Sequence, residues 1–134
     1  MTYNLDHNQL HGLQPVHLVR DVSATVAYYR DVLGFEVDFV HGDPPIHARV
    51  VTGNQLTGNP VFIRFERAKA TESVASSGYC YIHVAHDLDG LFEQYRQRGV
   101  HIEQELTSHE WGLRDFYIRD CNGYVFCFAA ETPP

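Results

Sequence analysis

Short stretches of alternating apolar and polar residues, punctuated by glycine, proline and aspartate, run through the whole chain. One begins at Pro15-Val16-His17-Leu18-Val19-Arg20-Asp21, and a near copy begins at Tyr81-Ile82-His83-Val84-Ala85-His86-Asp87. A helical spacing of apolar residues follows each, Val26, Tyr29 and Leu33 in the first and Leu91, Phe92 and Tyr95 in the second. Each helical stretch closes at a glycine, Gly34 or Gly99, and alternation resumes at Phe35-Glu36-Val37 and Val100-His101-Ile102. The repeat length of about 66 residues implies two copies of one strand–helix–strands unit. Such a unit has one bare sheet face, so the two copies bury surface jointly and the hollow between them is the natural ligand site.

The predicted elements follow from this pattern. Residues 1–13 form a tail and residues 14–20 a first strand, with a helix from Val22 that Ser23 is placed to cap. Strands are expected at 35–40, 47–51 and 60–66, separated by the His41–Pro45 turn and a 53–59 loop. A linker rich in Ala, Ser and Thr spans 67–78. The second half gives a strand at 79–85, a helix at 88–98, and strands at 101–106, 113–119 and 124–130. Asn122-Gly123 marks the last turn, because both residues tolerate positive φ. The expectation is an α+β fold in a single domain, 1–134: two tandem βαβββ modules, 14–66 and 79–130, forming a curved mixed sheet around a cleft. Strict alternation assigns Ile63, Phe65, Phe116, Ile118, Tyr124, Phe126 and Phe128 to the helix-covered side. Phe62, Arg64, Glu66, Asp115, Tyr117, Arg119 and Cys127 are left for the hollow.

Composition narrows the function. Apolar residues make up 44% and charged residues 20%, which is ordinary for a globular chain. No apolar run reaches the length of a membrane span, so no membrane partner is expected. Seventeen acids against ten bases leave a net charge of −7, which argues against a nucleic-acid partner. That acidity suits a cationic ligand and equally serves solubility. Three cysteines without metal-type spacing, and a polar stretch from Met1 to Gly12, point to a reduced cytoplasmic setting.

Three groups of residues carry a family resemblance. Val16 to Val22, continuing through Leu33-Gly34-Phe35, resembles the opening strand, helix and Leu-Gly-Phe signature of the vicinal oxygen chelate superfamily of glyoxalases, ring-cleaving dioxygenases and bleomycin-type resistance proteins. Trp111-Gly112-Leu113-Arg114-Asp115-Phe116-Tyr117-Ile118-Arg119-Asp120 with Asn122-Gly123 resembles its last hairpin, with Cys121 where the family usually has proline. The resemblance implies two βαβββ modules curled around a cleft, often completed in a homodimer.

It also implies where metal ligands would fall. The superfamily positions are Gln14 and Cys80, each seven residues before the Asp, then Cys127, and a strand-four position near Arg64 or Glu66. Hard divalent ions prefer carboxylate and imidazole, and an arginine repels a cation. Zinc held by Gln14, Glu66, Cys80 and Cys127 is chemically possible; the other reading makes the two thiols small core residues. The sequence reading therefore expects no cofactor. His17 and His83 are assigned to the helix side as satisfied core residues, while His86, His101 and His109 are read as solvated. Asp115 with Tyr117 can be an acid–base pair, or Asp115 can pair with Arg64, Arg114 or Arg119.

These readings converge on a small-molecule-binding protein resembling the non-metal bleomycin-resistance members, a homodimer that sequesters an aromatic or cationic drug or metabolite. Trp111, Tyr117 and Phe62 would stack on a flat ligand, Asp115 and Glu66 would neutralise positive groups, and Arg64 lies among them. Trp111 can also be read as plain core. The alternative is a metal-dependent enzyme: a lyase, ring-cleaving dioxygenase or thiol transferase.

Overall fold

A computed structural model describes residues 4–53, 58–75 and 77–133. The first module contains β1 (Val16–Val19), α1 (Val22–Tyr28) continued by a π-helical turn (Tyr29–Leu33), β2 (Glu36–His41), β3 (His47–Thr52) and β4 (Val61–Arg67). The second contains β5 (Cys80–His83), α2 (Leu88–Gln97), β6 (His101–Ser108), β7 (Leu113–Arg119) and β8 (Val125–Glu131). Each module forms a four-stranded mixed sheet, ordered β1-β4-β3-β2 and β5-β8-β7-β6. The first strand runs parallel to the last in each, and the other pairs are antiparallel. This is the expected α+β architecture of two βαβββ units. Part of the anticipated 53–59 loop lies outside the described residues.

The helices start differently from the sequence expectation. Asp21, not Ser23, caps α1: its carboxylate accepts from the Ala24 N–H. Asp87 caps α2 in the same way through Gly90. A carboxylate placed before the first turn satisfies an orphan N–H and complements the helix dipole. A Cβ on Gly90 would lie 2.2 Å from the Asp87 carboxylate, so this cap requires glycine there.

One core serves both modules. Val26, Tyr29 and Leu33 from the first helix, Leu88, Phe92 and Tyr95 from α2, and Ile63, Phe65, Phe116, Ile118, Phe126 and Phe128 from the sheets are all buried in it. The alternation rule therefore sorted the faces of β4, β7 and β8 correctly. Polar contacts then tie the modules together at the last hairpin. The Tyr29 hydroxyl donates to Asp120 at 2.5 Å, Asn122 donates to the Thr25 hydroxyl at 3.0 Å, and the Tyr124 hydroxyl donates to the Leu18 carbonyl at 2.7 Å. Burial together with the Asp120 charge holds the Tyr29 phenol well above its usual pKa, so it remains a donor.

Alternation failed on β5. His17 pairs in register with Phe65, and the matching partner of Phe128 is Ile82 rather than His83. Residues inward on β5 are thus Cys80 and Ile82, both packed on the core, while Tyr81 and His83 are exposed. The strand repeat runs at an offset of 65 and the capping Asp repeat at 66, because one extra residue stands between β5 and Asp87. Asp87 has φ 56, which accommodates that residue. His83 accordingly leaves the helix side to which the sequence assigned it. His17 does lie there, stacked on Tyr124 at 3.9 Å, but its Nδ1 is buried with no partner among the described residues.

Candidate functional site

The faces of the two sheets that no helix covers carry different chemistry. On the second module, Tyr117 of β7 pairs with Cys127 of β8, which pairs with Tyr81 of β5. Tyr79, just before β5, sets its ring edge-to-face on Tyr117 at 5.2 Å. Hydrogen bonding to Tyr79 and burial raise the Tyr117 phenol, and burial pushes the Cys127 thiol up to about 11. Both groups therefore carry their protons at neutral pH.

Asp115, nearer the start of β7, is buried and accepts from His109 Nε2 at 2.9 Å and from the Gln104 amide at 3.5 Å. This corrects the pairing expected from sequence, since Arg114 is bidentate on Asp89 and Arg119 on Glu103. It also moves His109 out of bulk water. The opposite face of that imidazole geometry is Trp111, stacked parallel on His109 with centroids 4.3 Å apart. Trp111 is 67% exposed, which removes the plain-core reading and leaves an open ring face.

On the first module, Arg49 of β3 and Arg64 of β4 stand directly opposite each other. Two nitrogens of Arg49 meet one oxygen of Asp38, Oδ2, at 2.7 and 2.5 Å; Arg49 also donates to the Gln14 side chain at 3.4 Å and covers the Phe62 ring at 4.2 Å. Arg64 donates to His47 Nε2 at 3.2 Å and lies 5.6 Å from the Phe39 ring. His47 is thus half-buried between Arg64 and Phe39. Glu66 is exposed toward the end of β4.

Between the modules opens a cleft of about 1230 Å³ whose walls include Leu13, Gln14, Phe62, Tyr79, Tyr81 and Tyr95. Of the residues expected at the site, Phe62 lines this cleft and Tyr117 stands behind Tyr79. Trp111, Asp115, Arg64 and Glu66 do not line it. Tyr79 and Tyr81 were missed because the register shift on β5 turned them outward. The apolar parity of Ile82 and Val84 was the available signal for that shift.

The donor set does not fit a metal. Cys80 pairs in register with Phe126 and Cys127 with Tyr81, so the two thiols lie on opposite faces of one sheet. Cys80 Sγ sits 3.8 Å from His17 Nε2, inside the junction. The register correction moves the second-module ligand position from Cys80 to Tyr79, so the positions hold an amide at Gln14, a guanidinium at Arg64 or a carboxylate at Glu66, a phenol at Tyr79 and a thiol at Cys127. Among the described residues, no three of His, Cys, Asp and Glu converge on a point that could hold an ion.

A family model for the Glyoxalase/Bleomycin resistance protein/Dioxygenase superfamily matches residues 13–128. The chain belongs to this superfamily. Among solved structures similar to it is the bleomycin-binding protein of bleomycin-producing Streptomyces verticillus, determined with copper(II)-bleomycin: 28% identity, TM-score 0.64, covering 93% of this chain and 98% of that one. TioX from Micromonospora sp. ML1 is 25% identical with TM-score 0.65, covering 92% and 98%. A superfamily member from Sphaerobacter thermophilus shares the fold at TM-score 0.70 and 20% identity, covering 91% and 98%. No curated protein matches the sequence significantly. The described chain has no helix long and apolar enough to cross a membrane.

Proposed function

We propose that this superfamily member binds an aromatic small molecule and acts by holding it, without a metal. The observation that carries this reading is the cleft between the modules, walled by Phe62 from one side and by Tyr79 and Tyr81 from the other. Aromatic walls offer large contact area at low conformational cost, and the ligand orders few side chains on entry. Tyr117 backs Tyr79, and Trp111, braced by His109 and Asp115, presents a second exposed ring on the loop before β7. The donor set argued above gives a metal-dependent lyase or dioxygenase no Lewis acid to work with. The 28% identity to a protein solved with copper(II)-bleomycin supports a drug-type guest and, through sequestration, a resistance role. A homodimer in the cytoplasm is part of the proposal: Val16, Val37, Val40 and Ile46 are large, exposed and available to a second copy.

A thermal-shift screen of aromatic antibiotics and metabolites, copper(II)-bleomycin included, tests the reading, because a ligand of the native state must raise Tm. For the compound that binds, Tyr79→Ala and Phe62→Ala are each expected to weaken affinity by roughly ten-fold. Unchanged affinity in both folded variants contradicts the placement of the guest, and a loss on Trp111→Ala instead would move the guest to the loop before β7.

A further inference from the structure

We propose that the uncovered sheet face of the first module is an oxyanion subsite, centred on Arg64 with Arg49 beside it, that takes a carboxylate-type group of the aromatic guest. The inference rests on the binding function proposed above and adds the charge of the ligand to it.

Arg49 and Arg64 are direct cross-strand neighbours in the middle of β3 and β4. Like charges placed so are unfavourable, and more so where half-buried, since less water screens them. Arg49 is compensated: the Asp38 carboxylate grips it from two nitrogens and the Gln14 amide accepts from a third. Arg64 is not. Its Nε meets a histidine nitrogen, and among the described residues its two terminal nitrogens meet no acceptor and no carboxylate pairs with it. Arg30, Arg96, Arg114 and Arg119 each pair with an acid, and Arg20 and Arg98 donate to backbone carbonyls. In a chain with seventeen acids and ten bases, a half-buried guanidinium facing none of those acids marks a place kept for an external anion.

The chemistry of the pair suits an oxyanion. A guanidinium offers a planar fork of N–H donors that matches a carboxylate in two parallel hydrogen bonds. Phe39 lies within 5.6 Å of both guanidinium carbons and Phe62 within 4.2 Å of that of Arg49, so aromatic rings border the pair. Position links the subsite to the guest: Phe62 and Gln14, both in contact with Arg49, also line the cleft. Of the acids expected to attract a cation, Asp115 is committed to His109 and Gln104, and Glu66 stands exposed toward the end of β4.

Calorimetric titration with three probes of one shape, 2-naphthoate, 2-naphthamide and 2-naphthylmethylammonium, tests this. The expected result is naphthoate binding at least ten-fold more tightly than the amide, with Arg64→Gln reducing naphthoate to the level of the amide and leaving the amide unchanged. Equal or tighter binding of the amide or the ammonium by the unaltered protein overturns the oxyanion subsite while the aromatic-binding function stands. Binding of none of the three contradicts both. The comparison among probes uses the unaltered chain, so it decides the matter even where the Arg64 variant does not fold.

Discussion

Removing one hydroxyl, Tyr29→Phe, should separate the two modules energetically more than its size suggests. Tyr29 is fully buried and donates to Asp120 Oδ2 at 2.5 Å; Asp120 is itself 7% exposed. The other carboxylate oxygen already accepts from the N–H groups of Asn122 and Tyr124 at 2.9 and 2.8 Å. The substitution therefore leaves Oδ2 of a buried carboxylate without its donor and opens almost no cavity. A hydrogen bond to a charged group contributes about 1.5–3 kcal/mol, so a loss of about 2 kcal/mol is expected. For a chain of this size that lowers Tm by roughly 6–10 °C. Tyr95→Phe is the internal comparison. Its hydroxyl also makes a buried hydrogen bond between the modules, donating to the neutral Leu33 carbonyl at 2.8 Å, worth about 1 kcal/mol. Urea unfolding at pH 7.5, followed by far-ultraviolet circular dichroism, gives both values from the midpoint and slope. A Tyr29→Phe cost no greater than that of Tyr95→Phe, or below about 0.5 kcal/mol, would refute the reasoning that a charged acceptor anchors the modules.

Two further outcomes follow from groups at the junction and on the sheet. Burial depresses the His17 pKa, outweighing the pull of Asp120. The unfolded chain then binds more protons below about pH 6.5, so this residue's contribution is constant above that pH and stability falls on acidification, by up to about 1.4 kcal/mol per pH unit, until the folded pKa is reached. His17→Leu should remove that component, measured as the difference between the urea midpoints of the two proteins at pH 5.0 and 7.5; an identical pH dependence would place the neutral imidazole elsewhere. Thiol titration with an aromatic disulfide at pH 8 should reach Cys121 slowly: the residue lies at the surface, but partial shielding of its sulfur and the Asp120 charge push the thiol up to about 11. Buried Cys127 should react only after unfolding, and rapid labelling of it in the native protein would mean that the face it shares with Tyr117 is open.

How far the fold could be read in the chain depended on the signal at each element. β7 and β8 carry uninterrupted alternation with large rings on one parity, and there the reading of faces held for Phe116, Ile118, Phe126 and Phe128. β5 carries a weaker pattern in which His83 copies His17 in letter and not in place. The copy of the Asp–helix phrase is one residue out of step with the copy of the strand, and repeat matching followed the Asp. The side-chain pairs of the site were less legible still. Asp115 meets His109 because the Glu110–Gly112 turn folds β6 back on β7, held by the His109 N–H to the Leu113 carbonyl at 2.7 Å and the Gly112 N–H to the His109 carbonyl at 3.2 Å. Arg49 opposite Arg64 needs the β3–β4 register, which alternation within each strand does not give. The net acidity alone suited plain solubility as well as a cationic guest, and it could not show that Asp38 pairs with Arg49 while no carboxylate pairs with Arg64 among the described residues.

Calorimetry with the tightest compound from the screen, on protein before and after exhaustive dialysis against EDTA, is the most direct examination of binding without a metal. The same affinity and a one-to-one stoichiometry per site in both samples are expected. Affinity that disappears with the chelator and returns on adding zinc, nickel or manganese would contradict it.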